Sequence, residues 1–129
     1  MLGLTRRGVG GGDLESVRPV ADADQLRAAR AQVDATAVGE DVARYVVAVV
    51  RRTRDLPRVT LGASPRAGLL LLRAAKAHAL LRGRDHAIPD DVQLMGEAVL
   101  AHRIVLAPDA YETTGEQVVA DAVATTPAL

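Results

Sequence analysis

Cysteine, phenylalanine and tryptophan are absent, and Tyr45 and Tyr111 are the only aromatic residues in a chain of 129. Without cysteine there is no disulfide, no thiolate metal site and no cysteine nucleophile. That usage fits a cytoplasmic protein. The scarcity of rings removes the stacking surface that single-stranded nucleic acid requires. Long hydrophobic runs are missing too. The longest, residues 45–50, falls far short of the ~20 apolar residues that cross a bilayer, so no membrane insertion is expected. Residues 1–12 hold no continuous apolar stretch of the kind a secretory signal carries. Net charge is also lacking, with 16 basic residues balancing 16 acidic ones.

The balance is global only. Residues 51–84 carry nine bases against Asp55 alone, a local excess of +8, and residues 85–129 carry eight acids against Arg103, a local excess of −7. Either the two segments neutralise each other in the fold, or the basic one faces an anion or an acidic partner. Charge alone does not choose between them.

What is present is alanine, valine and leucine. Hydrophobic residues make up 49% of the chain, a composition that favours packed helices over an aromatic-rich sheet. At this length one domain is expected. Residues 1–21, glycine-rich and basic over 5–12, read as a flexible lead-in, and residues 22–129 as the folded domain. Leu26, Ala29, Arg30 and Val33 predict a helix over 22–33, and a brief strand is compatible with 36–39. Val42, Tyr45, Val46, Val49 and Val50 form an amphipathic stripe over 40–54, with acids first and arginines last, as the helix dipole favours. Pro57 ends that helix, and 56–61 reads as a loop.

Residues 65–82 form the next expected helix, with Gly83 as its closing residue. Its leucines and alanines leave little of the circumference polar, so it is expected to be enclosed by other helices. Arg66, Arg73 and Lys76 share one arc of it, and Arg82 points the opposite way. Pro89, Asp90 and Asp91 open a further helix, whose inner stripe is Val92, Met95 and Val99. Residues 104–106 are compatible with a short buried strand. Thr114 and Gln117 have capping-box spacing and start a last helix running to about 125. The expected fold is all-α, a four- to five-helix bundle with at most a small two-stranded element.

The most informative stretch is Gly62-Ala63-Ser64-Pro65-Arg66-Ala67. Ser64 is a preferred N-cap, and Pro65 suits the first helical position, where its missing N–H costs nothing. Arg66 follows in the turn whose free N–H groups and dipole already favour negative charge. A guanidinium placed there suits a phosphate oxygen. The plainer reading is a well-capped helix with a solvated arginine.

Other chemistry is not in evidence in the sequence. No Gly-Lys-Thr/Ser loop wraps a phosphate chain, and no acid follows an apolar strand in the manner that positions magnesium. His78, His86 and His102 are scattered, and no pair has zinc spacing. His78 is expected to pack or face solvent, and the other two to sit in a loop and at a helix end. Ser64 has no histidine near it in sequence to act as a base. The chain does not read as a complete enzyme.

Five blocks carry a resemblance: Gly62-Ala63-Ser64-Pro65-Arg66-Ala67, Leu72-Arg73-Ala74-Ala75-Lys76-Ala77, Gly83-Arg84-Asp85, Pro89-Asp90-Asp91-Val92 and Val99-Leu100-Ala101-His102-Arg103. In order and spacing they resemble the C-terminal lid of MoxR-type AAA-plus ATPases, closely over 61–108 and more weakly back to Asp22 and on to the last helix. The resemblance implies a helical lid that follows an α/β nucleotide-binding core and closes over ATP, whose Mg is held mainly by that core. It implies that Arg66 is the sensor-2 arginine reaching the γ-phosphate, the position with a catalytic role. Ser64 and Arg73 are carried beside it as cofactor-binding residues. Walker A, Walker B and sensor 1 are not in the sequence, so the chain reads as an excised or truncated lid, inactive alone. The implied partners are the core of the same protein, a ring of identical subunits and a client protein that is remodelled.

Two other functions stand beside it. One is a stand-alone helical interaction module, with the basic residues 51–84 meeting an acidic partner. The other is a helix-turn-helix DNA binder reading through residues 89–101. That helix carries Asp90, Asp91 and Glu97 without a base, and phosphate repulsion counts against it.

Overall fold

A computed structural model describes residues 17–128. Residues 1–16 of the expected lead-in lie outside the described residues. The order of elements is α1 (Ala23–Ala35), β1 (Ala37–Val38), α2 (Glu40–Asp55), β2 (Val59–Leu61), α3 (Pro65–Leu81), β3 (His86–Ala87), α4 (Pro89–Leu100), a 3₁₀ turn (Ala101–Arg103), β4 (Val105–Leu106) and α5 (Gly115–Ala124). Contacts divide the chain into two units, Met1–Arg30 and Ala31–Leu129. In the first, residues 17–21 are exposed and form neither helix nor strand. Asp22 Oδ1 accepts the Gln25 N–H at 2.7 Å and Gln25 Oε1 accepts the Asp22 N–H at 2.9 Å, a reciprocal cap for the start of α1. No residue of α1 is buried.

In the second unit α2 supplies the spine of the core. Val42, Tyr45, Val46, Val49, Val50 and Thr53 are its buried residues, the expected stripe extended by one turn. Against them pack Ala67, Leu71 and Ala75 of α3, Val92 and Leu100 of α4, and Val119 and Ala122 of α5. Small alanines facing valines let the helices approach closely, so an aromatic-poor sequence still fills its interior. Tyr45, 1% exposed, accepts a hydrogen bond at its hydroxyl from Gln93 Nε2 at 3.2 Å, so its one polar atom is satisfied.

Punctuation residues set the helix ends. Ser64 Oγ accepts from the Ala67 N–H at 3.2 Å, with Pro65 at the first position of α3. Gly83 closes α3 at φ +74°, where a side chain would be strained. The Arg84 N–H bonds Ala79 O at 3.0 Å and the Gly83 N–H bonds Leu80 O at 2.9 Å, the paired bonds of a Schellman ending. At α5, Thr114 and Gln117 cap each other reciprocally at 3.3 and 2.8 Å.

Three expectations are corrected. Residues 56–61 are not wholly loop: β2 pairs antiparallel with β4, Val59 opposite Leu106 and Leu61 opposite Val105, and β1 pairs parallel with β3. There are thus two ladders of two strands among the described residues, both too short to leave a periodic signature. The strand at 105–106 is not buried, since Val105 is 51% exposed. Nor is α3 enclosed. Four consecutive leucines point in four directions: Leu71 is fully buried, Leu72 packs on the core from its edge, and Leu69 is 70% exposed. Among the described residues no helix is long and apolar enough to cross a membrane.

Candidate functional site

The start of α3 is held by the end of α2. Thr53, fully buried, donates its hydroxyl to Val50 O at 2.7 Å and accepts the Ala63 N–H at 3.0 Å. Arg54 donates Nε and Nη2 to Ala63 O at 2.9 and 2.8 Å. Both backbone polar groups of Ala63 are therefore satisfied by two consecutive side chains from the last turn of α2. Gly62 makes the approach possible, because a Cβ there would lie 2.8 Å from the Arg54 backbone nitrogen and 2.9 Å from its Cα. Those atoms belong to a helix and cannot swing aside. Gly62→Ala is expected to cost about 1–3 kcal/mol, the usual range for overpacking. Thermal unfolding measures it.

Clamped in this way, the helix mouth presents Arg66. Its side chain is exposed and has no hydrogen-bond or ion-pair partner among the described residues. The other first-turn groups are accounted for. Pro65 has no N–H, the Ala67 N–H goes to Ser64 Oγ, and the Gly68 N–H goes to Ser64 O at 3.2 Å. The Arg66 backbone N–H is left without an acceptor among the described residues. Residue 66 thus offers a backbone donor and a guanidinium together, at the positive end of a helix of 17 residues. That donor set fits a terminal phosphate oxygen. Ser64 contributes through its cap, in which its oxygen accepts from the Ala67 N–H while its O–H keeps a donor.

Arg73 lies two turns further along, roughly 10 Å up the helix axis. It pairs with Asp34 near the end of α1, Nη2 to Oδ1 at 3.1 Å, and Lys76 Nζ donates to Asp34 O at 2.6 Å. Two of the three cations on the arc are thus engaged by the end of α1, where backbone carbonyls attract positive charge. The structure does not bring Arg73 together with Arg66 at the helix mouth.

A second polar centre went unread in the sequence. Asp91 is 1% exposed at α4's first turn and takes a bidentate pair from Arg84, Nη2 to Oδ1 at 2.6 Å and Nη1 to Oδ2 at 2.7 Å. Asp91 Oδ2 also accepts the Ile88 N–H at 2.9 Å, capping a helix whose N-cap residue has no acceptor of its own, and Oδ1 contacts His78 Nδ1 at 2.6 Å. The Arg84 fork, supported by the Ile88 N–H and His78, holds the Asp91 carboxyl far below the usual carboxylate range against the opposing effect of burial. The Schellman turn at Gly83 aims Arg84 at this carboxylate. His78 is therefore a partner of Asp91. His86 Nδ1 lies 2.8 Å from Asp85 Oδ1, an exposed pair, and His102 sits in the 3₁₀ turn. Among the described residues no three metal-ligating side chains cluster.

Five helices, the capped mouth at Ser64 and the Arg84–Asp91 tie define a helical lid bundle. The family model described as the AAA lid domain matches residues 51–122, and the chain belongs to that family, in its MoxR type. It is 37% identical over 97 residues to the uncharacterised protein YeaC of Bacillus subtilis, covering 75% of this chain and 30% of that protein. It is 47% identical over 75 residues to the chaperone MoxR1 of Mycobacterium tuberculosis, covering 51% of this chain and 20% of the relative. It is 45% identical over 60 residues to protein MoxR of Methylorubrum extorquens, covering 46% and 17%. The chain thus spans less than a third of the length of these relatives. A crystal structure of a provisionally assigned ATPase from Cytophaga hutchinsonii shares the fold, with a TM-score of 0.78 at 22% identity over 95% of this chain and 41% of that one.

Proposed function

We propose that residues 22–129 form the lid of a MoxR-type ATPase and that Arg66 is its sensor-2 arginine. The observation that carries this reading is the free guanidinium beside an unpaired N–H at a mouth that Thr53, Arg54 and Gly62 hold in place. ATP and its Mg²⁺ are bound mainly by a nucleotide-binding core in the same protein, and the bound nucleotide supplies the phosphoanhydride that is hydrolysed. The lid contributes a cation aimed at the terminal phosphate and a rigid bundle that transmits the position of that cation. Ser64 holds the helix start, and Arg73 steadies the same helix through Asp34. Closure of the lid on the γ-phosphate links nucleotide state to the shape of a ring of identical subunits, which remodels a client protein in the cytoplasm.

The test is ATP hydrolysis and assembly of the full-length protein carrying Arg66→Ala; unchanged turnover together with unchanged assembly removes the reading. A second expectation concerns the present chain alone. One charge-assisted contact contributes about 1.5–3 kcal/mol, whereas micromolar affinity needs roughly 8 kcal/mol. Calorimetric titration of the 129-residue chain with Mg-ATP should show no saturable binding at micromolar concentrations; tight binding would mean that the lid holds a nucleotide site of its own.

A further inference from the structure

An open groove of about 530 Å³ runs between α2 and α3, walled by Val46, Val47 and Val50 on one side and by Pro65, Leu69 and Leu72 on the other. Its floor belongs to the core, but its rim does not: Leu69 is 70% and Val47 51% exposed. A second depression, about 450 Å³, shares Ala43, Val47 and Arg51 with the first and continues along α2 towards Glu40. Together they follow α2 over residues 40–54, roughly 20 Å at helical rise. Contiguous apolar surface of this kind on a small domain marks an interaction site.

Charge along the trough is one-sided. Arg51 lines both depressions, Arg54 the first and Arg44 the second, and the single carboxylate lining either is Glu40, 3.8 Å from Arg44. Arg51 is exposed and has no ion-pair partner among the described residues. No residue of the acidic helices α4 and α5 lines either depression. A second copy answers it poorly, because α4 and α5 commit Val92, Leu100, Val118, Val119 and Ala122 to their own core and expose one large apolar side chain, Leu94, rather than a stripe. The occupant must therefore bring its own apolar stripe and its own carboxylates.

We propose that this trough docks an amphipathic helix from another polypeptide segment, with carboxylates along the edges of its apolar stripe. Such a helix seats its apolar anchors against Val47, Leu69 and Leu72, in the helix-in-groove manner, and sets its acids against Arg44 and Arg51. The charges steer and select, and the apolar contact holds. Arg66 is not part of the trough, so this surface goes beyond the nucleotide-facing reading and can fail or succeed without it.

The experiment is fluorescence anisotropy of the 129-residue chain with two labelled synthetic peptides of about four helical turns. Both carry leucines at i, i+3, i+4 and i+7. One is flanked by glutamates and the other by lysines. Micromolar binding of the glutamate peptide is expected, at least about tenfold tighter than the lysine peptide. Leu69→Asp should weaken it at least tenfold without lowering Tm, because that side chain is already in water. Arg51→Glu should reverse the preference between the peptides, and Arg66→Ala should leave binding unchanged. Equal binding of both peptides, no binding at millimolar concentration, or indifference to Leu69→Asp and Arg51→Glu would overturn the proposal. So would sedimentation showing a dimer that Leu69→Asp dissolves and the peptide cannot enter, which would assign the trough to a second copy.

Discussion

Asp91→Ala should destabilise the lid by about 3–5 kcal/mol, the usual result of breaking a buried ion pair from one side. That is a large share of a typical domain stability of about 5–15 kcal/mol, and a fall in Tm on the order of 15 °C or more follows. The substitution removes a carboxylate that satisfies the Arg84 fork, the Ile88 N–H and His78 Nδ1 at once. The half-buried Ile88 N–H then has nothing to cap it, and the first turn of α4 frays. Asp91→Asn keeps the volume but loses the charge, and should fall between the alanine variant and the parent. If specific pairing is the cause, Asp91→Leu combined with Arg84→Met should be markedly more stable than Asp91→Ala, since replacing both partners leaves no charge unpaired. A double variant no better than the alanine variant would assign the loss to packing alone.

The same pair sets the acid sensitivity of the domain. The carboxyl of Asp91 is lowered in the folded state, so the folded form holds its proton less tightly than the unfolded chain does. Its stabilising contribution is complete above the unfolded value of about 4 and is lost progressively as the pH falls below it. Urea titrations stepped downward from pH 5 should show stability falling through this window in the parent and changing much less in Asp91→Asn. Asp85 and Glu116 are also lowered but are exposed, and solvent screening makes their shares small.

Which features could be read in advance follows from the range of the signals. The helix over 40–55 announces itself by a stripe of valines, and α3 and α5 by residues at their own ends: Ser64, Pro65 and Gly83 for one, Thr114 and Gln117 for the other. Each signal acts within one turn of where it is written. The ladders are different. Val59 meets Leu106 and Ala37 meets His86 only because the helices between them fold back, and neither two-residue partner has a period to detect. The exposure of Leu69 is likewise decided by which side α2 and α4 occupy, not by the leucine run. At the helix mouth, the Ser64 cap and the position of Arg66 were legible. The Thr53–Arg54 grip on Ala63 was not: Arg54 looks like an ordinary dipole-matching arginine until its carbonyl partner, nine residues ahead, comes into range. Arg84 and Asp91 stand seven residues apart across a turn, a spacing that indicates pairing only once Gly83 is known to reverse the chain.

Arg66→Ala in the full-length protein should lower ATP turnover by about 10- to 100-fold, the equivalent of a lost charge-assisted contact of about 1.5–3 kcal/mol. The lid itself should not notice, because the exposed guanidinium makes no hydrogen bond or ion pair with another described residue; the Tm of the variant should match that of the parent. Arg54→Ala supplies the contrast. It frees Ala63 O from two hydrogen bonds, so it should lower Tm and turnover together. Arg66→Lys keeps the charge but loses the planar fork, and should recover only part of the rate. Nucleotide discrimination is the sharper readout. A contact to the terminal phosphate exists with ATP and not with ADP, so Arg66→Ala should weaken ATP binding while leaving ADP affinity unchanged. Equal loss for both nucleotides would place the arginine on the inner phosphates or the base, and no loss for either would leave it a solvated residue at a well-capped helix.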